Sequence, residues 1–372
     1  MAARQDAARP DAARQDVVAS DFPHAAARLP AVLVDSYNIE LRQADDEGFI
    51  GDRVSKGAFR DLIEDWRERL RRIGQDPLGP EPSRTMTKKT FDRFLLEGPP
   101  EAAGVVQGAV EDFAQELATV VRRFLRQKGW RDTERIVVGG GLSDSRVGRL
   151  AIGRASVLLK AAGLDLALVP IRHHHDEGGL IGAVHLAPSW IFSGYDSLVA
   201  VDIGGTNIRA GIVATNLRKA PDLSRAAVWR SALWRHRDED PPPGRDAAVA
   251  RLTAMLEDLV ARALKSGLAL APFIGVGCPG LIEPDGQISR GGQNLPGNWE
   301  SSRFNLPQAL RAGVPAINGH PVMVVMHNDA VVQGLSEVPF LRDVRRWGVL
   351  TIGTGLGNAR FSNRAEPDGH GR

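Results

Sequence analysis

Three short stretches carry residue types that could handle a polyphosphate. "VDIGGTNIRAGIV" (201–213) sets a carboxylate, Asp202, just ahead of Gly204-Gly205-Thr206-Asn207. "TIGTGLGNA" (351–359) repeats the idea with Gly353-Thr354-Gly355, and "RIVVGGG" (135–141) runs an apolar strand into Gly139-Gly140-Gly141. Glycines let backbone N–H groups converge on an anion because no Cβ intrudes. Thr206 and Thr354 add hydroxyl donors. Asp202 would repel a phosphate directly, but it can hold magnesium through water, since magnesium gives up its hydration reluctantly. Each turn alone reads more readily as an ordinary hairpin turn. None is a P-loop, because no Gly-Lys-Ser/Thr follows.

Elements of both periods are available to position these turns. "KGAFRDLIEDWRERLRRI" (56–73) places Phe59, Leu62, Ile63, Trp66, Leu70 and Ile73 at helical spacing. "VVQGAVEDFAQELATVVRRFLRQKG" (105–129) predicts a long amphipathic helix, with Arg122, Arg123, Arg126 and Lys128 as its solvated basic end. Residues 146–163, 176–188, 245–266, 305–312 and 329–338 predict further helices. Strands are expected at 31–42, 135–139, 166–171, 198–214, 273–288, 322–328 and 347–361. Strands alternate with helices in both halves, which predicts an α/β protein of two lobes.

The 372 residues suffice for two domains with cores of their own. A composition of 43% hydrophobic and 25% charged residues is that of a globular chain. The balance of 47 basic against 45 acidic residues argues against a nucleic-acid partner. No apolar run approaches the roughly 20 residues of a membrane helix, and the first residues lack a signal-peptide core. The single cysteine, Cys278, excludes an internal disulfide framework and suits a cytoplasmic location; with no paired histidine in view it reads as a packed residue. Residues 2–16 repeat AARQD, AARPD, AARQD without a large apolar side chain, so 1–29 is expected to be a disordered tail.

Taken together, "DIGGTNIR" and "TIGTGLGNA" resemble the two phosphate-binding hairpins of the actin-like ATPase superfamily, and "IVVGGGLS" its adenosine-binding turn. "GVGCPGLIEPDGQIS", "NLPGNW" and "HNDAVVQG" narrow the resemblance to the ROK family of sugar kinases and sugar-responsive repressors. The resemblance spans about 135–188 and 198–362. It implies a ribonuclease H-like, two-lobed α/β fold, ATP and magnesium as cofactors, and a sugar as partner and substrate. It also implies that Asp329 is the catalytic base, with Asn328 and Asn294 as sugar ligands. Asn298 is a further candidate for the sugar, or a turn residue. The nucleotide would be held by Asp202, Gly204, Gly205, Thr206, Asn207, Gly353, Thr354, Gly355, Gly139, Gly140 and Gly141. A silent sugar or nucleotide sensor is the alternative within the family. Oligomeric state is left open, a homodimer included.

The order of motifs departs from the family. There the first phosphate hairpin comes first and the adenosine turn last; here the adenosine turn precedes everything. A circular permutation is expected, with 30–188 as most of the nucleotide-side lobe and 189–197 as linker. Residues 198–340 would then form the catalytic lobe, and 341–372 would return the second hairpin to the first lobe. Chain ends of compact domains often lie close together, so the rearrangement is physically permissible. The family's Glu-x-Gly-His motif and cysteine-rich zinc loop are absent, so no zinc site of that kind can form. Glu40, Glu47, Asp52 and, at the far end, His370 are candidates for the lost sugar ligands, each also readable as a surface group. "HHH" at 173–175 invites a metal, but on a strand only His173 and His175 share a face, and nothing nearby in sequence completes the set. A loop or interface role is expected for it.

Overall fold

The computed structural model describes residues 23–43 and 48–364. In chain order the first part comprises strand β1 (Val32–Tyr37), helices α1 (Lys56–Arg71), α2 (Lys88–Glu97) and α3 (Pro100–Leu125), strand β2 (Arg135–Gly139), helix α4 (Arg146–Ala161), strand β3 (Ala167–Pro170) and the short helix α5 (Gly178–Gly182). Next come β4 (Ser197–Ile203), β5 (Ile208–Ala214), β6 (Ala227–Trp234), α6 (Arg245–Lys265) and β7 (Leu270–Cys278). Two small hairpins, β8 (Leu281–Ile282) with β9 (Ile288–Arg290) and β10 (Ala316–Ile317) with β11 (His320–Pro321), flank α7 (Leu306–Gly313). The chain closes with β12 (Met323–Asn328), α8 (Asp329–Leu335), β13 (Arg346–Ile352) and β14 (Leu356–Asn363).

The helices form where local pattern and caps agree. Ser55, Thr87, Ser145 and Asn305 each accept a backbone N–H as N-cap of α1, α2, α4 and α7. Along α3 the buried Val106, Val110, Phe113, Leu117, Val121 and Phe124 recur every three or four residues. Strand β7, between parallel β4 and β12, is buried throughout.

Two five-stranded sheets carry the lobes, in the orders β6-β5-β4-β7-β12 and β1-β14-β13-β2-β3. Their pairings correspond strand for strand. β4 and β5 are antiparallel, as are β5 and β6, while β7 and β12 run parallel to β4. β13 and β14 are antiparallel, as are β14 and β1, while β2 and β3 run parallel to β13. The sheet position that β6 fills in one lobe is filled in the other by β1, more than 300 residues ahead of its neighbour β14: Val32 pairs with Asn363 and Val34 with Phe361. Two sheets of this one topology, each with a glycine hairpin joining the second and third strands in the orders given, make the two-lobed actin-like ATPase fold.

Three apolar cores hold the assembly. One lies between α1–α4 and the sheet that begins with β1 (the first in chain order), one between α6, α7 and the sheet of β4–β7 and β12, and the third joins the lobes through α5 and α8 with Val137, Trp347 and Phe361. At the last of these the helices touch backbone to backbone. A Cβ on Gly182 would lie 1.7 Å from the Val332 carbonyl oxygen, so only glycine fits.

Two sequence expectations change. Residues 1–22 of the expected tail, Glu47 and His370 lie outside the described residues, but 23–29 are packed. The Ala25 N–H donates to the Met326 carbonyl (2.9 Å), His24 accepts from the Met326 N–H (3.1 Å), and Leu29 is buried. The expected 176–188 helix is α5 followed by a 3-10 turn at Ala183–Leu186, and the expected linker holds a second such turn at Ser189–Ser193.

Candidate active site

The strands of both sheets deliver their glycine turns to one cleft of about 550 Å³, a size typical of small-molecule sites. Gly204, Gly205, Thr206 and Asn207 line it from the β4–β5 hairpin, Gly353, Thr354 and Gly355 from the β13–β14 hairpin, and Gly140 and Gly141 from the end of β2. Each hairpin is closed by its own backbone: the Gly204 N–H donates to the Asn207 carbonyl (2.8 Å) and the Gly353 N–H to the Gly355 carbonyl (2.9 Å). Their tips meet through the Thr206 and Thr354 hydroxyls, 3.2 Å apart. Gly140 has φ +88°, and a Cβ there would lie 2.2 Å from the Ile352 carbonyl oxygen. Glycine therefore sets the adenosine-type turn directly against the second hairpin. Gly139 is the last residue of β2, beside Thr351 and just behind the lining.

At the floor, β12 ends and α8 begins with Asp329. Its carboxylate accepts the Ala330 N–H (2.9 Å) and otherwise faces the cleft. Burial, aided by the negative charge of Asp202, raises its pKa to about 7. Asp202 lies across from it at the end of β4; burial raises its pKa as well, against the pull of Arg209. Arg209 reaches Asp202 at 3.4 Å and also pairs with Asp176. Two hard carboxylates that repel each other in one cleft match the donor set of a magnesium ion.

The polar residues of the acceptor end sort differently from expectation. Asn294 lines the cleft and packs against the Gly205 turn. Asn328 does not line it: its oxygen caps α8 by accepting the Ala330 and Val331 N–H groups (3.0 and 3.4 Å), and its amide donates to the Gly280 carbonyl (3.0 Å). Asn298 is also outside the lining, its side chain accepting the Glu300 N–H (3.0 Å) in a local turn. A helix cap and the Gly280 carbonyl thus engage both ends of the Asn328 amide, which spacing alone cannot foresee, while Asn298 takes the turn role that the sequence left open for it. Glu40 and Asp52 line the cleft, although Asp52 is engaged by the Phe49 N–H (3.0 Å). The stretch around them is held to the second hairpin by Asn358, which accepts the Ile39 N–H (3.0 Å) and donates to the Ile39 carbonyl (2.9 Å).

Sequence reasoning missed Lys56, Gln333 and Asn38, all in the lining. The Lys56 backbone N–H donates to the Gly353 carbonyl (3.0 Å), which plants the first residue of α1 beside the second hairpin. Its pKa is lowered by burial and by the positive charges of Lys88, Arg60 and Arg209. Lys56 thus sets a cationic side chain in the cleft beside the second glycine hairpin. No local pattern marks Lys56, because only tertiary packing brings α1 to the turn.

The histidine run takes the loop position expected for it, but its neighbours differ from the pairing weighed on a strand. It lies in the loop after β3, not on a strand, and the residues that converge are His174 and His175, with Asp144 from the turn before α4. His173 instead packs on Phe340, their rings 5.9 Å apart. Cys278 is buried at the end of β7, and burial pushes its thiol well up, in keeping with a packed residue. Among the described residues no helix is long and apolar enough to cross a membrane.

No family model matches the chain, and no curated protein matches it. Among solved structures it is similar to a ROK family glucokinase from Streptomyces griseus in complex with glucose and AMPPNP, at 20% identity over 46% of this chain and 46% of that one, with a TM-score of 0.33. It is similar also to a ROK hexokinase from Thermus thermophilus, at 19% identity over 44% of this chain and 45% of that one, with a TM-score of 0.28. The chain thus spans about half the length of these structures. Both of these proteins are named as ROK kinases, the family whose motifs the sequence resembles.

Proposed function

We propose that the protein is an ATP-dependent carbohydrate kinase that moves the γ-phosphoryl group of ATP to a sugar hydroxyl. The observation that carries this reading is Asp329: a carboxylate with a pKa of about 7, free of any side-chain partner, on the floor of a cleft walled by glycine turns. A base poised near neutral pH can take the hydroxyl proton as the oxygen attacks phosphorus. The backbone N–H groups of the two hairpins, with Thr206 and Thr354, would bind the phosphates, and Gly140 and Gly141 would bound the nucleoside side. Lys56 would neutralise phosphate charge as it builds up. Asn294, Gln293 and Asn38 would orient the acceptor hydroxyls. Asp202 fits magnesium; bound there through water, the ion would supply charge neutralisation for the phosphates and leave Asp329 free as the base. Closure of the lobes about α5 and α8 would exclude water, so that the sugar rather than water receives the phosphoryl group.

The lobe order is best explained as a circular permutation. What supports it is the pairing of β1 with β14 in the sheet position that β6 holds in the other lobe, and the contact of Arg364 with Ala31 (3.0 Å). The functional reading is tested by Asp329→Asn, which keeps shape but cannot accept the proton. ATP should still bind, while phosphoryl transfer falls about 10²–10⁴-fold. Unchanged turnover would remove Asp329 as the base.

A further inference from the structure

Asp144, His174 and His175 converge from two separate turns at the ends of the parallel strands β2 and β3. One ligand atom of each lies within 4.8 Å of the others. The Asp144 carboxylate accepts the His175 backbone N–H (3.1 Å), contacts the His175 Nδ1 closely, and lies 3.6 Å from the His174 Nε2. The two imidazole rings stand 4.3 Å apart. A tetrahedral ion with bonds near 2.0–2.2 Å sets its ligand atoms roughly 3.3–3.6 Å apart; the 3.6 Å between Asp144 and the His174 Nε2 matches this, while the closer Asp144–His175 contact would have to open as the ion enters.

We propose that Asp144, His174 and His175 bind a divalent transition metal of the zinc class, at the rim of the cleft and apart from the Asp202–Asp329 pair. Two imidazoles and one carboxylate select zinc and its neighbours over magnesium, which takes oxygen ligands. The outer partner that such histidines need is present in Asp176: its carboxylate lies 3.4 Å from the His175 Nε2 and 3.8 Å from the His174 Nδ1. A metal on the His174 Nε2 places the ring proton on Nδ1, where Asp176 receives it in place of the Asp176 N–H that the ring accepts at 3.3 Å. Three protein ligands leave a fourth position open, and His174 is half exposed, so solvent reaches it. The ion would tie the loop after β3 to the glycine turn after β2. His175 and Gly141 both line the cleft, so the ion would stiffen the wall on which the nucleotide is expected to rest.

The test uses full-length protein without a polyhistidine tag, stripped with chelator and titrated with zinc chloride against a chromophoric competitor. One zinc per chain is expected, retained in excess magnesium. His174→Ala removes a half-exposed ligand and should leave the fold, checked by circular dichroism, intact; it should weaken zinc binding at least about tenfold. Asp144→Asn, which keeps the acceptor for the His175 N–H, should do the same. No zinc uptake by the unaltered chain, or equal uptake by both variants, would overturn the proposal.

Discussion

The hydroxyls of Thr206 and Thr354 lie 3.2 Å apart, although 148 residues separate them in the chain. Each stands at the tip of the hairpin joining the second and third strands of its sheet, counted from β1 or β6, so the contact joins equivalent points of two equivalent lobes. A ligand with several phosphate oxygens can take both donors at once.

Loss of either hydroxyl should therefore weaken nucleotide binding without unfolding the chain. A hydrogen bond to a charged group contributes about 1.5–3 kcal/mol, so Thr206→Val and Thr354→Val should each lower ATP affinity about 10- to 100-fold by calorimetric titration. Unchanged affinity in both would place the phosphates elsewhere.

Asp329 also makes stability depend on pH. Its pKa of about 7 lies above the ordinary 3.8, so the folded protein holds a proton that the unfolded chain has already released. Its contribution is complete below about pH 4 and is lost as pH rises through about 7. Asp202 shifts in the same direction. In metal-free buffer, Asp329→Asn should raise the melting temperature more at pH 8 than at pH 5. The same difference at both values would contradict a raised carboxyl.

The topology makes a prediction about fragments. In the first sheet β13 and β14 lie between β1 and β2, so residues 30–188 alone lack the middle of their sheet. That fragment should melt without a cooperative transition. A chain relinked from Arg364 to Ala31 and opened within 189–197 should fold, because the buried contacts are unchanged and loop closure costs only about 0.6 kcal/mol per doubling of length. A sharp reversible melt of the fragment, with failure of the relinked chain, would refute the permutation.

Much of this was legible where the signal is local. Apolar residues at helical spacing marked α1 and α3, and glycine runs after apolar strands marked all three turns. Helix α2, capped by Thr87 but with few apolar residues, was not anticipated. The packing of His24 and Leu29 was hidden because it depends on surfaces formed by residues hundreds of positions away. Asn328 carried the right chemistry for a sugar, yet a helix cap and the Gly280 carbonyl engage its amide, and the Asn298 oxygen is taken up in a local turn. Asp144 lies 30 residues before His174, and only the parallel pairing of β2 with β3 brings their turns together.

The central claim is that ATP turnover in this cleft is coupled to a sugar acceptor. ADP release measured with magnesium and ATP, with and without a panel of hexoses, amino sugars and their N-acetyl derivatives, tests it most directly. The account predicts negligible release alone, strong release with at least one sugar, a phosphorylated sugar in equal amount, and loss of both in Asp329→Asn. ATP hydrolysis that is indifferent to every sugar, or no turnover despite tight ATP binding, would contradict it.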